Sequence, residues 1–312
     1  MLNTKLEKQI LGFLPEKGSV SGGELFEEFG KQYFVLWRTT TNSEKLANHH
    51  YGQYYLRIDA KIEGFARLSP SILRNFLTYS RVSRIEDIEA AVKEGKRHRQ
   101  IHRDISEKKR KIARKILDET LGSDLLGRVG VLIAGDVCRD MAHEVPRPER
   151  YSGEMVKGSD IDLVLIMAAE DAGLREELEN RLLEAKSIYL RHPDLREEID
   201  FVVNSVSHYQ NAVEFKTPSQ MISCKSALEG QMLAGTRGII EKTTAVLSKA
   251  DIPLKVLSMT ELAFSERLQA VELLRKDPDA IHATKERRLF YFSDEIWEFM
   301  FDEVWEFMQD KD

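Results

Sequence analysis

Read for the spacing of apolar and polar positions, the chain changes character twice. Residues 1 to about 80 carry short amphipathic stretches, LEKQILGFL and GGELFEEFG, then a third helical segment and the β-favouring residues of YYLRID. Turn signals at Lys17-Gly18-Ser19 and His50-Tyr51-Gly52-Gln53 separate them, so the predicted order is helix, helix, helix, hairpin. In SPSILRNFL, Ser69 reads as an N-cap with Pro70 at the first helical position. Residues 86–118 predict one long helix in which Ile101, Ile105, Ile112 and Ile116 recur at helical spacing, so that one face packs. From Val129 the pattern switches to short apolar runs typical of buried strands, at 129–137 (VGVLIAGDV), 161–167 (IDLVLIM) and 198–203 (EIDFVV), with a helix over Glu170 to Leu190. Beyond Thr217 the helical pattern returns. It ends in the near-repeat DEIWEFM and DEVWEFM, where Trp297, Phe301, Val304, Trp305 and Met308 share an apolar face that predicts docking on the core or a dimer contact. The fold class expected is α+β in four segments: 1–85, 86–120, 121–215 and 216–312.

Composition adds limits rather than a function. With 312 residues, 42% hydrophobic and 31% charged, the chain is long enough for about two domains with cores of their own. No stretch approaches the roughly 18 apolar residues of a membrane span, and MLNTKLEKQILGFL lacks a secretory apolar segment with a cleavage site. A cytoplasmic protein without a membrane partner is expected. Cys138 and Cys224 are far apart with no Cys or His at zinc spacing, so both are expected reduced and partly buried. The net charge of −6 hides a basic run. Lys93, Lys96, Arg97, Arg99, Arg103, Lys108, Lys109, Arg110, Lys111, Arg114 and Lys115 face only Glu94, Asp104 and Glu107, a local net of +8 that leaves −14 elsewhere. Such a face either follows a nucleic-acid backbone through counterion release or is a solvated helix surface.

The stretch Gly158-Ser159-Asp160-Ile161-Asp162-Leu163 carries the chemistry. In an extended chain alternate side chains share a face, so Asp160 and Asp162 point one way while Ile161 and Leu163 enter the core. Two carboxylates side by side repel unless a divalent cation neutralises them, and all-oxygen ligation suits Mg²⁺, with Mn²⁺ as a substitute. Asp200, in the next predicted strand after an intervening helix, is placed to join them. Three such carboxylates can hold two Mg²⁺ ions, one activating a hydroxyl and one organising a triphosphate. The alternative is a turn with two solvated aspartates.

Over about Val129 to Val203 the chain resembles the nucleotidyltransferase superfamily typified by DNA polymerase β, in particular its minimal nucleotidyltransferases. The family pattern is an apolar strand ending in Gly-Ser, a loop, Asp-x-Asp, a helix and a third acidic residue. Ile133-Ala134-Gly135-Asp136-Val137-Cys138-Arg139 occupies the Gly-Ser position, Gly158 to Leu163 the Asp-x-Asp position, and Asp200 the third-acid position. The resemblance implies an α/β core with a mixed sheet at 121–215, metal on Asp160, Asp162 and Asp200, and phosphate approach at Gly135, Asp136, Arg139, Gly158 and Ser159. Two departures stand out. Asp136 replaces the serine and cannot donate its hydrogen bond. The loop before Asp160 is long and carries His143, Glu144, Arg147, Glu149, Arg150 and Lys157; Arg147, Arg150 and Lys157 suit a triphosphate or acceptor, and the alternative is a plain surface insertion. Lys225, on a helix, is a further cation that could reach a triphosphate.

The order of elements in 1–85 resembles a winged helix, with Val35 to Asn48 as recognition helix and His49 to Tyr54 in the wing. The expected function is transfer of a nucleoside monophosphate from a nucleoside triphosphate to a hydroxyl acceptor (RNA or tRNA, protein or small molecule), with possible nucleic-acid contact through residues 1–115. The alternative is a DNA-binding transcriptional regulator whose nucleotidyltransferase domain senses nucleotide or is inactive.

Overall fold

The computed structural model describes residues 3–16, 18–30, 33–149, 152–292 and 295. Among the described residues the chain is mixed α+β, with a mixed four-stranded sheet and smaller antiparallel sheets. It forms two compact units that are discontinuous in sequence: one takes Met1–Arg57, Ala66–Ile101 and the chain from Thr260, the other Ile58–Phe65 and His102–Met259. This division cuts across the four linear segments read from the sequence. The long helix contributes to both units, and the C-terminal helices are shared between them.

In the first unit, α1 (Thr4–Phe13), β1 (Ser19–Val20), α2 (Gly22–Phe29), α3 (Tyr33–Asn42) and β2 (Leu46–His50) are followed by a hairpin of β3 (Tyr55–Ile58) and β4 (Ala66–Ser69), then α4 (Ile72–Thr78) and β5 (Ser80–Arg84). The outer strands pair antiparallel in the order β1, β5, β2. Ser21 starts α2 with a reciprocal capping box to Glu24. Two expectations need correction. The N-cap of α4 is Ser71, whose hydroxyl accepts from the Arg74 N–H, because Ser69 is still part of β4. Val35 to Asn48 is not one helix: α3 ends at Asn42 and Asn48 pairs with Val82 in the sheet.

The apolar side of α3 supplies Leu36 and Trp37 to a core completed by Ala270 and Leu274 of α11 (Ile252–Lys276) and by Phe290 of α12 (Thr284–Phe290). The polar side of α3 is engaged as well. Arg38 donates to the carbonyls of Leu274 (3.2 Å), Arg275 (3.1 Å) and Lys276 (3.3 Å), and Asn42 to that of Arg275 (3.1 Å). These are the carbonyls that the end of a helix leaves without intrahelical partners, so Arg38 caps α11 in place of a glycine motif.

The larger stretch of the second unit starts inside α5 (Ile88–Arg128), which is helical throughout except at Gly122, where φ is 65°. The helix starts two residues later and runs further than the predicted 86–118. Its Ala113, Ile116, Leu117 and Leu121 pack on a four-stranded sheet of order β10 (Ile199–Ser205), β9 (Ile161–Met167), β6 (Val129–Ile133), β11 (Gln231–Gly235). β10 runs parallel to β9, and β6 lies antiparallel to both β9 and β11. α6 (Gly135–Cys138) and the hairpin of β7 (Pro146–Pro148) and β8 (Met155–Lys157) fill the connection from β6 to β9. α7 (Ala172–Leu190) makes the crossover to β10, burying Leu174, Leu178 and Leu182. The helices α8 (Val206–Ala212), α9 (Pro218–Glu229) and α10 (Arg237–Lys249) follow, and β11 interrupts the region expected to be all helical. Five residues with a register shift and no clear alternation leave no strand signature in QMLAG. Both cysteines are buried and reduced. Among the described residues no helix is long and apolar enough to cross a membrane. The tandem Trp segment, apart from Glu295, lies outside the described residues.

Arg38→Ala removes charge-assisted bonds worth about 1–3 kcal/mol. The thermal midpoint is expected to fall by about 3–8 °C, read by scanning calorimetry, with Arg38→Lys intermediate.

Candidate metal centre

Parallel pairing of β9 and β10 places Asp162 directly opposite Asp200, and Asp160 lies one residue before β9. One carboxylate oxygen from each of Asp160, Asp162 and Asp200 lies within 4.8 Å of the others, at half-buried positions. Apolar neighbours hold this geometry. Ile161, Leu163 and Ile199 are buried in the core behind the sheet, and a one-residue slip of either strand would turn its aspartates away. The next layer comes from Gly135, whose φ is +65° and whose added Cβ would fall within the Asp162 carboxylate. The Ala134 N–H donates to the Asp162 carbonyl at 2.9 Å, so the start of α6 is tied to the same residue.

Charge is crowded here. Burial, with the adjoining charges of Asp160, Asp200, Asp136 and Glu198, pushes the Asp162 carboxyl up to about 8. Glu198 is raised to about 7 by burial, with Arg147 opposing the shift and Asp160 and Asp200 adding to it. Two cations offset part of this. The Arg147 guanidinium donates to Asp160 Oδ1 (2.5 Å) and to the Gly158 carbonyl (2.9 Å), and pairs with Glu198 Oε2 (2.7 Å). Lys186 of α7 donates to Asp200 Oδ1 at 2.5 Å. A divalent cation fits the donor set: three carboxylates converge, and Asp162 among them has no cation of its own among the ion pairs of the described residues.

The other predicted residues fall into distinct places. Gly158 has φ +67° and packs so tightly on the His143 carbonyl that a Cβ would overlap it, which makes it a backbone-crossing glycine rather than a free phosphate approach. Ser159 is buried; its N–H donates to the His143 carbonyl and its hydroxyl to Asp136 at 3.4 Å. His143, a loop residue with no strong sequence signal, is buried too, and its Nδ1 accepts from the Val145 N–H. Lys157 sends its ammonium to the Asp194 carbonyl, and Glu149 binds Ser152. Arg150 lies outside the described residues. Arg139 and Lys225 converge on Glu229, Lys225 at 2.6 Å, and burial lowers the Lys225 pKa against the pull of Glu229.

No known protein family, curated protein or solved structure matches the chain. The site therefore has to be read from its own geometry. Sequence reading missed Glu198, Lys186 and Glu229. Glu198 was visible in principle, two residues before Asp200 and so on its face of an extended chain; Lys186 and Glu229 meet their partners only through tertiary packing.

The raised Asp162 pKa has a defined consequence for stability. The unfolded chain releases this proton near 3.8, whereas the folded chain holds it to about 8, so between those values the unfolded state binds fewer protons. Metal-free stability should therefore fall as pH rises through this window, with the full penalty above it. Thermal scans are expected to show that Asp162→Asn flattens the slope, and that a divalent cation raises the midpoint more at about pH 9 than at about pH 5. Gly135→Ala displaces the Asp162 carboxylate, and calorimetric titration with Mn²⁺ is expected to show binding weakened by about 10-fold or more.

Proposed function

We propose that the chain is a Mg²⁺-dependent nucleotidyltransferase that moves a nucleoside monophosphate from a nucleoside triphosphate to a hydroxyl acceptor, with release of pyrophosphate. The observation that carries this reading is the three-aspartate centre built across two parallel strands in register, with a glycine-started helix against it. Asp160 and Asp162 would hold both Mg²⁺ ions and Asp200 one of them, and Mn²⁺ would substitute. When bound, the ions supply Lewis-acid activation and neutralise charge on the triphosphate. Asp200 is the most solvent-accessible side chain of the ion-paired carboxylates at the centre, 47% exposed, and would help take the proton of an acceptor hydroxyl.

Arg147 holds Asp160 in orientation rather than serving as a free phosphate ligand, since its fork is already occupied. Arg139, at the end of the short α6, and Lys225 of α9 meet at the Glu229 carboxylate. Asp136 lacks the hydroxyl that the family pattern has there, but Ser159 brings one to its carboxylate.

The helix order and the strand order β1, β5, β2 support a winged-helix reading of the first unit, with the β3–β4 hairpin and α4 inserted before the last strand. A DNA-reading role is less well supported. α3, the helix that would enter a groove, has no exposed residue, and Arg38 and Asn42 are spent on α11. Along α5, Arg97, Arg103, Lys108, Lys109, Arg110, Lys111, Arg114 and Lys115 each face a carboxylate within the chain, which leaves less charge for counterion release.

The test is incubation of the purified protein with each α-labelled nucleoside triphosphate and Mg²⁺, with and without total RNA, followed by separation of all products. Label is expected in one acceptor class and is expected to drop at least about 100-fold in Asp160→Ala and Asp162→Ala. Full activity in both variants would remove the assignment.

A further inference from the structure

Glu197 and Glu198 are adjacent just before β10, and each pairs with a cation from a different element. Glu198 meets Arg147, which also holds Asp160. Glu197 meets Lys109 of α5. The Lys109 ammonium pairs with Glu197 and donates to the Lys157 carbonyl at 3.0 Å, and the two side chains are only 2% and 5% exposed.

The positions of these partners matter. Lys157 ends β8 and is three residues before Asp160; Glu197 is three residues before Asp200. One ammonium thus ties together the two backbone segments that lead into the aspartate-bearing strands. The same segments are joined by Lys157 N–H to the Arg196 carbonyl (3.1 Å) and Ile161 N–H to the Glu198 carbonyl (2.9 Å). The flanking residues of α5 reach other parts of the rim: Lys108 pairs with Glu144 at 2.8 Å, and Arg110 donates to the Val137 carbonyl (2.7 Å) and to Asp140 (2.8 Å). Stability alone does not account for a buried pair of this kind, because a well-packed apolar replacement of both partners is often neutral or stabilising.

We infer that Lys109 is a positioning residue for the metal centre. Through Glu197 and the Lys157 carbonyl it sets the spacing between the starts of β9 and β10, and so the convergence of Asp160 and Asp162 with Asp200. This inference rests on the metal-centre reading above.

Calorimetric titration of the full chain with MnCl₂, alongside thermal unfolding, tests it. Lys109→Met/Glu197→Met leaves no buried charge unpaired; a thermal midpoint close to wild type with Mn²⁺ affinity about 10–100-fold weaker is expected. Unchanged affinity in the folded double variant overturns the proposal. If that variant does not fold, Glu197→Gln, which keeps an acceptor for the ammonium, carries the test: about 10-fold weaker binding supports the proposal. Unchanged binding in a folded Glu197→Gln, or failure of both variants to fold, makes the pair merely structural and overturns it. Wild-type protein that binds no Mn²⁺, or Asp162→Asn that binds it normally, instead brings down the metal-centre reading itself.

Discussion

Like charges at about 4 Å repel by about 4 kcal/mol in an effective dielectric of about 20, and the second unit holds three carboxylates within 4.8 Å of one another. Parallel register forces part of this contact, since Asp162 and Asp200 are partners across two strands whose other sides are locked in the core. The cluster cannot relax by sliding. Burial and the neighbouring carboxylates raise the Asp162 and Glu198 carboxyls, while Arg147 pairs with Asp160 and Lys186 with Asp200. A divalent cation would neutralise what these two leave over. The same tension that makes the fold costly without a cation makes the site able to bind one.

Several cations of α5 are engaged around the segments that lead to the site. A run of lysines and arginines on a helix reads as a solvated or nucleic-acid-binding surface, yet successive residues here point into different parts of the unit. Lys108, Lys109 and Arg110 meet the loop before β7, the approaches to β9 and β10, and α6, respectively. The apolar stripe of Ile116, Leu117 and Leu121 anchors the helix to the sheet, so its cations act from a fixed support. Part of the +8 of this segment is matched by Asp118, Glu119, Asp140, Glu144 and Glu197, which lie outside the run.

The first unit illustrates how element order and exposed surface can part company. On the winged-helix reading proposed for it, the face of α3 that would read DNA is enclosed within the unit's own packing and caps α11. Topology is set by which strands pair; availability of a face is set by what else in the chain packs on it.

The short apolar runs at 161–167 and 198–203 and the two-residue spacing of Asp160 and Asp162 are local properties, and they put the carboxylates on or at the start of strands, β9 and β10; the strand read over 129–137 ends at Ile133, where Gly135 opens α6. The buried positions of Ile161, Leu163 and Ile199 follow from the same alternation. What packing alone decided is who compensates the charge. Arg147 sits on Asp160, Lys186 on Asp200, Lys109 on Glu197 and Arg139 on Glu229, and these pairs join residues 13 to 90 positions apart. No spacing rule links such residues, because their distance depends on how helices seat on the sheet. Ser71 displacing Ser69 as N-cap, and β11 hidden in a helical stretch, have the same origin: strand pairing overrode the local preference. Alternation along one strand is written in consecutive side chains, whereas the pairing of a buried charge is written only in three dimensions.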